Sequence, residues 1–204
     1  MPESNANARL EAFSDGVFAI ALTLLIIDVR LPATAQFTSS VELWRALWHL
    51  MPTMLAFLLS FGIILITWVN HHGAFSLVSR STPSFVYANG VLLLTVVLIP
   101  FPTALLGEFL LTDHAAPAVV VYDGVLAVQA LSWVLVISAA LKNHLLIDAQ
   151  AIAAARDNKQ KGYFALVFYA LLAVLALWIP LPVAIVTLVS WIFWLILGAR
   201  LKRI

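Results

Sequence analysis

The sequence predicts an all-α integral membrane protein: a single domain, residues 1–204, with six transmembrane helices. Three observations predict it. The side chains are 63% hydrophobic and 10% charged, whereas a soluble domain is about 45–50% apolar and about 25% charged. The apolar residues fall into runs close to the ~20 residues that cross a bilayer as a helix. The basic residues segregate to alternate connections between those runs, as the positive-inside rule requires.

The expected spans are approximately 10–31, 43–69, 85–106, 116–141, 163–178 and 183–199. The first follows a polar start that lacks a basic leader region, and no small-residue cleavage site follows it. It is therefore expected to be a retained helix and not a signal peptide. A loop with Pro32, Thr34, Ser39 and Ser40 leads to the second, which carries Pro52 inside it. The third ends near Pro100 and Pro102, and Glu108 to His114 form a short polar loop. The fourth ends at the longest polar stretch, Lys142 to Gly162, whose Ala-rich centre, Ala149 to Ala155, is expected to be helical; its cations Lys142, Arg156, Lys159 and Lys161 are expected to enforce topology, with contact to anionic headgroups of membrane lipid as the other reading. The last two spans are joined by Ile179-Pro180-Leu181-Pro182, which is short enough only for an antiparallel hairpin. Runs this long favour helices over the shorter, alternating strands of a membrane barrel.

With the N-terminus in the cytoplasm, the inside segments hold Arg9, Arg80, Lys142, Arg156, Lys159, Lys161, Arg200, Lys202 and Arg203, and the outside ones only Arg30 and Arg45. The expectation is a multi-pass protein of the cell membrane with both termini cytoplasmic. Trp44, Trp48, Trp68, Tyr163 and Trp178 fall near span ends, where aromatic belts form. Scattered cations and a net charge of +1 argue against a nucleic-acid partner. The absence of cysteine removes disulfides, thiolate nucleophiles and cysteine-held metals.

Polar groups inside a membrane are costly, and each needs a reason. The first helix opens Arg9-Leu-Glu-Ala-Phe13-Ser14-Asp15-Gly16. Arg9 and Phe13 share a face, and Asp15 lies about 9 Å beyond Arg9 along the axis. Its short side chain cannot snorkel far, so Asp15 is expected to be paired and buried. The second span returns to the cytoplasmic level at Asn70, His71 and His72, each a candidate to hydrogen-bond Asp15 or Ser14. His71 and His72 diverge on a helix and make a poor metal pair. Further along, Gly16, Ile20, Thr23, Leu24 and Ile27 recur at three- and four-residue spacing and form one stripe, which periodicity alone does not separate from a lipid-facing or core face because the helix is apolar on every side.

The stretch Arg9-x-x-x-Phe13-Ser14-Asp15, continuing through Gly16-Val-Phe-Ala-Ile-Ala-Leu-Thr23-Leu-Leu-Ile, resembles the signature of the transmembrane protein 175 family of potassium channels. Trp68-x-Asn70-His71-His72-x-x-Phe75 and Leu98-Ile-Pro100-Phe101-Pro-Thr103-Ala-Leu-Leu-Gly107-Glu108 are also similar to it. The resemblance implies a homotetramer of six-helix chains, with the first helix of each lining the pore. It places the constriction at Ile20, Thr23, Leu24 and Ile27, and makes Arg9, Phe13, Ser14, Asp15, Asn70, His71 and His72 a structural network between helices. It implies passive, potassium-preferring conduction of monovalent cations. The apolar ring gates by dewetting. No cofactor and no tightly bound metal are implied, potassium being only the permeant ion.

Three other readings compete. A proton or alkali-cation transporter would want a midplane carboxylate, but Asp15, Asp28, Glu108 and Asp123 read as nearer the span ends. An intramembrane enzyme would need a histidine between Ser14 and Asp15 in space; these two adjacent residues point to different helix faces. A non-conducting membrane subunit is separated from a channel only by a conduction assay.

Overall fold

The computed structural model describes residues 7–30 and 38–200, and at 28 and 195–200 the backbone alone. The expected end of the first span at Leu31, the loop from Pro32, the Asp28 and Arg200 side chains, Lys202 and Arg203 lie outside the described residues.

The described residues are mostly helical, with one isolated antiparallel bridge, Val78 to Leu146. The helices are α1 (Ala8–Leu24), continued by a 3-10 turn (Leu25–Asp28), α2 (Ser40–His49), α3 (Met51–Phe75), α4 (Pro83–Leu98), α5 (Pro100–Phe109), α6 (Ala115–Lys142), α7 (Ala149–Leu175) and α8 (Pro180–Arg200). Proline supplies several of the starts. Pro52, Pro83 and Pro100 each sit in the first turn of a helix, where a missing N–H leaves no hydrogen bond unmade.

Proline also divides two runs that the sequence presents as single helices. The 43–69 run is two helices, α2 and α3, parted at Leu50 just before Pro52. The 85–106 run is α4 and α5, parted at Ile99. Ile99 keeps helical angles (φ −54°, ψ −39°), so the chain passes on nearly in line. Pro180 begins α8, which places Pro180 and Pro182 in its first turn and not between the helices. The Ala-rich stretch after Lys142 opens α7, whose first half is polar and second half apolar.

Among the described residues, four segments are long and apolar enough to cross a membrane: Ala8–Ile27, Met51–Phe75, Pro83–Phe109 and Ala115–Lys142. A shorter apolar helix covers Pro180–Trp194.

α6 is the central post, packed against α4, α5, α7 and α8, while α1 packs on α3 and α4. The main core joins Phe18, Ala21, Leu25, Ile64, Val96, Val119 and Leu172. A smaller one, around Phe75, Phe85, Leu92, Val136 and Leu145, closes the other end. There the loops after α3 and α6 are tied by Ser79 N–H to Leu145 O (2.8 Å) and Ile147 N–H to Leu77 O (3.1 Å). Asn7 joins them, its Nδ2 donating to Val78 O at 2.9 Å. Gly107 is where α5 meets α3 most closely. A Cβ there would lie 2.9 Å from the Thr53 Cα, and Thr53 Oγ1 donates to the Gly107 carbonyl at 3.2 Å.

Candidate functional site

The first helix has two faces with opposite fates. Ser14, Phe18, Ala21 and Leu25, spaced by four, three and four, are buried against the rest of the chain. The opposite stripe is not covered by its own chain: Phe13 is 63% exposed, Ile20 59%, Leu24 38% and Ile27 61%, and Thr23 is exposed beside them. The change to a 3-10 turn after Leu24 preserves the stripe, because residues three apart eclipse in that geometry, setting Ile27 over Leu24. The Thr23 hydroxyl donates its proton to Ile20 O at 2.8 Å. Its oxygen lone pairs remain free to face whatever fills the space beyond.

The buried face is anchored by a chain of polar contacts. Ser14 Oγ donates to Leu10 O (2.8 Å) and accepts from Asn89 Nδ2 of α4 (3.0 Å). With its nitrogen so used, Asn89 offers Oδ1 to His71 Nε2 of α3 at 2.8 Å, which fixes the histidine as the Nε2–H donor. The His71 ring lies over Phe75, centroids 4.1 Å apart, and meets Phe18 edge-on at 5.3 Å. Ser14, Asn89 and His71 are all buried. One serine, one amide and one imidazole therefore tie α1, α3 and α4 together through a continuous chain of hydrogen bonds, as buried networks that rigidify a fold do.

Asp15 differs from its expectation. It is exposed, because it sits about 100° round the helix from Ser14 and so turns off the buried face. Its partner is Trp68, whose Nε1–H donates to Oδ1 at 2.8 Å. The Trp68 ring stacks on His72 at 6.5 Å, and His72 is exposed. Asn70 does not join either contact; it is half-buried and lines a cleft between α3, α6 and α7. Arg9 is exposed on the same side as Phe13.

Two residues of this arrangement were missed in the sequence. Asn89 carried a signal: it is a lone amide within the apolar run Phe85 to Leu98, and a polar group there needs a partner. Trp68 stood within a quoted motif, but nothing in its spacing gave its bond to Asp15.

The placement of Asp123 also corrects the sequence reading. It is fully buried inside the bundle, roughly 12 Å along α6 from the helix start, and Oδ1 accepts from Thr187 Oγ1 of α8 at 2.8 Å. A second buried cluster joins Ser60 Oγ to Thr103 Oγ1 (2.6 Å) and to the Tyr122 hydroxyl (2.9 Å). Among the described residues, no three His, Asp or Glu side chains converge as a metal site would need.

A family model described as "Endosomal/lysosomal potassium channel TMEM175" matches residues 9–100. A potassium channel of Chamaesiphon minutus is 50% identical over 124 residues, 61% of this chain and 61% of that one; the match thus spans under two thirds of that relative's length. A potassium channel of a Chryseobacterium species is 30% identical over 200 residues, 96% of this chain and 95% of that one. The endosomal/lysosomal proton channel TMEM175 of Rattus norvegicus is 42% identical over 79 residues, 36% of this chain and 16% of the other. The crystal structure of a lysosomal potassium-selective channel TMEM175 homolog from Chamaesiphon minutus superposes with a TM-score of 0.80 at 36% identity, covering 96% of this chain and 99% of that one. The all-helical fold and the near full-length similarity agree: the chain belongs to the TMEM175 family.

Proposed function

We propose that this chain is one subunit of a homotetrameric, potassium-preferring cation channel that conducts passively across the cell membrane. Each subunit spans the membrane six times with both termini in the cytoplasm, and α1 lines the pore. The observation that carries the reading is the bare stripe on α1. Ile20, Thr23, Leu24 and Ile27 are left uncovered by a chain that buries the opposite face of the same helix completely.

Four copies of Ile20 around an axis form an apolar ring. An ion entering it loses hydration without gaining ligands, so a narrow ring is closed by dewetting and a slightly wider one conducts. Thr23 oxygens beside the ring offer weak coordination. Potassium is less costly to dehydrate than sodium, which gives a modest preference. Ser14, Asn89 and His71 hold α1 at its angle, and Trp68 on Asp15 steadies its cytoplasmic end. None of these contacts the ion. A second reading, proton permeation by the same path, is favoured by the proton-channel description of the rat relative.

The test is potassium flux from liposomes holding the purified protein, with sodium, rubidium and protons as comparators and Ile20→Asn alongside. Potassium flux whose rate or selectivity changes in Ile20→Asn supports the channel. A folded oligomer that passes no ion in either form contradicts it.

A further inference from the structure

Between α3, α6 and α7 a cleft of about 640 Å³ runs toward α8, and its walls include Ile63, Ile66, Trp133 and Tyr169. Two of its lining groups hold hydrogens that nothing accepts. Gln129 is 6% exposed, and its Nε2 has no partner; nor has the buried Nε1 of Trp191. Buried donors without acceptors are destabilising, and two on one cleft point to an occupant that brings oxygen acceptors. Both orphans are donors, so the occupant is an acceptor at that depth and apolar around it.

The mouth of the cleft has a different chemistry. Asn158 and Lys161 of α7 line it, and the run Arg156 to Lys161 carries three cations against one carboxylate, Asp157. Lys161 Nζ pairs with Asp157 at 2.6 Å, on the preceding turn of α7, so the ammonium is drawn back toward the polar half of the helix. Lys159 lies over the Tyr163 ring at 5.9 Å. The depths can be registered. A Cβ on Gly162 would touch Val134 at 2.9 Å and lie 3.8 Å from Ala130 O. Lys161 therefore starts level with Ala130 to Val134, and Gln129 lies within about one helical turn, 5.4 Å, on the apolar side. The interfacial layer of a bilayer, holding phosphate and glycerol esters, is about 5–8 Å thick on each side.

We propose that this cleft binds one anionic phospholipid from the inner leaflet. Its phosphate lies at Lys161, the cation that lines the cleft. A glycerol ester carbonyl accepts from Gln129 Nε2, and one acyl chain runs along Ile63, Ile66 and Tyr169. The order of cation, donor and apolar wall along the cleft matches the order of phosphate, ester and chain in a phospholipid. The assignment rests on the cytoplasmic placement of the mouth given above, but not on ion conduction.

The test uses delipidated full-length protein in detergent and native mass spectrometry. The probes are dioleoyl phosphatidylglycerol, dioleoyl phosphatidylcholine and sn-glycerol 3-phosphate. Phosphatidylglycerol is expected to be retained about tenfold more tightly than phosphatidylcholine, whose choline cation is repelled by the Lys161 ammonium, and glycerol phosphate not at all, because it has no acyl chain to bury. Lys161→Gln and Gln129→Leu each weaken phosphatidylglycerol about tenfold by the same reasoning. Arg156→Gln, an exposed cation off the cleft, leaves it within about twofold. Ala165→Phe fills the cleft and provides a second check if Gln129→Leu is poorly folded. Equal retention of the two lipids overturns the proposal. So does an Arg156→Gln loss as large as that of Lys161→Gln, which marks generic surface charge, or tight glycerol phosphate binding, which marks a free phosphoester site. Lipid retention and ion flux are read separately, so either can fail while the other stands.

Discussion

Asn89 uses both ends of its amide, giving Nδ2 to Ser14 on α1 and Oδ1 to His71 on α3. Replacing it with leucine leaves two buried groups short of a partner. Such losses average about 0.6 kcal/mol per contact inside membranes, reaching about 1.7, and are about 1–3 kcal/mol in water-soluble cores. Asn89→Leu is thus expected to lower the thermal midpoint of the purified protein and to loosen α1, and Ser14→Ala to do so less; midpoints equal to the parent's would refute the network's role. Asp123 offers a contrast. Its contact with Thr187 needs only an acceptor oxygen, which an asparagine also supplies. Asp123→Asn is expected to keep the fold, while Thr187→Val, which leaves Asp123 buried without that bond, lowers the midpoint by more. The reverse order would show that charge, and not the hydrogen bond, matters there. At this scale the sequence was only partly legible. Ser14 and His71 were visible as polar groups in apolar surroundings, but their link through a third helix depends on how α4 packs, and no local pattern encodes that. Asp15 was expected to be buried because its chain is short; a single step round the helix decided otherwise.

Among the elements, α2 shows how a composition-based span conceals a boundary. The run from Leu43 is apolar enough to merge with α3, but Ser39 and Glu42 mark a separate start. Ser39 Oγ accepts from Glu42 N–H at 3.3 Å, and Glu42 Oε2 accepts from the Thr38 N–H and hydroxyl at 2.8 and 2.9 Å, a variant of the capping box in which the glutamate reaches back to the residue before the cap. The Thr38 N–H, and after it the hydroxyl, hold the Glu42 carboxyl below its usual value. The sign follows: a depressed folded value means the cap is at full strength above the unfolded carboxyl range and fades as pH falls through the folded value. Emission from Trp44 and Trp48, both 73% exposed on α2, is expected to be steady at neutral pH and to shift only under acid. Glu42→Gln should abolish that shift; an unchanged acid transition in Glu42→Gln would assign it elsewhere. The α3–α5 contact gives a second element-scale test. Gly107→Ala pushes a methyl within 2.9 Å of the Thr53 backbone and is expected to destabilise by about 1–3 kcal/mol, as overpacking does. Gly16→Ala, which meets nothing within 4 Å inside the chain, should leave the isolated subunit unaffected. The all-helical, apolar character was legible because hydrophobicity needs no context; of the six expected spans, four segments among the described residues are long and apolar enough to cross a membrane. Where they break was less so, since Pro52 ends one helix while Pro100 merely bends the next, and only the packing around each decides.

At the scale of the whole molecule, polar markers on separate helices gather toward one end of the bundle. Asp15 on α1 and Trp68 on α3 bond to each other, and Lys161 on α7 stands level with Ala130 to Val134 on α6. About 15–19 residues of α6 separate this level from Ala115, or roughly 23–29 Å at 1.5 Å per residue, approaching the ~30 Å thickness of a hydrocarbon core. A slab of lipid so placed leaves the polar half of α7 in water and brings Gln129 just beneath the boundary. Within that frame an apolar stripe can face lipid as well as other subunits, and the proposed function sets the stripe of α1 on the pore axis. The chain contains no cysteine, so single cysteines can be read without altering the background. The most direct measurement is block of potassium flux by a charged, membrane-impermeant thiol reagent, applied to Ile20→Cys, Ile27→Cys and, as an exposed site on another helix, Leu171→Cys. The account predicts that modification at 20 and 27 stops or sharply reduces flux while modification at 171 leaves it unchanged. Full flux after confirmed labelling at 20 and 27 would contradict it and remove α1 from the ion path.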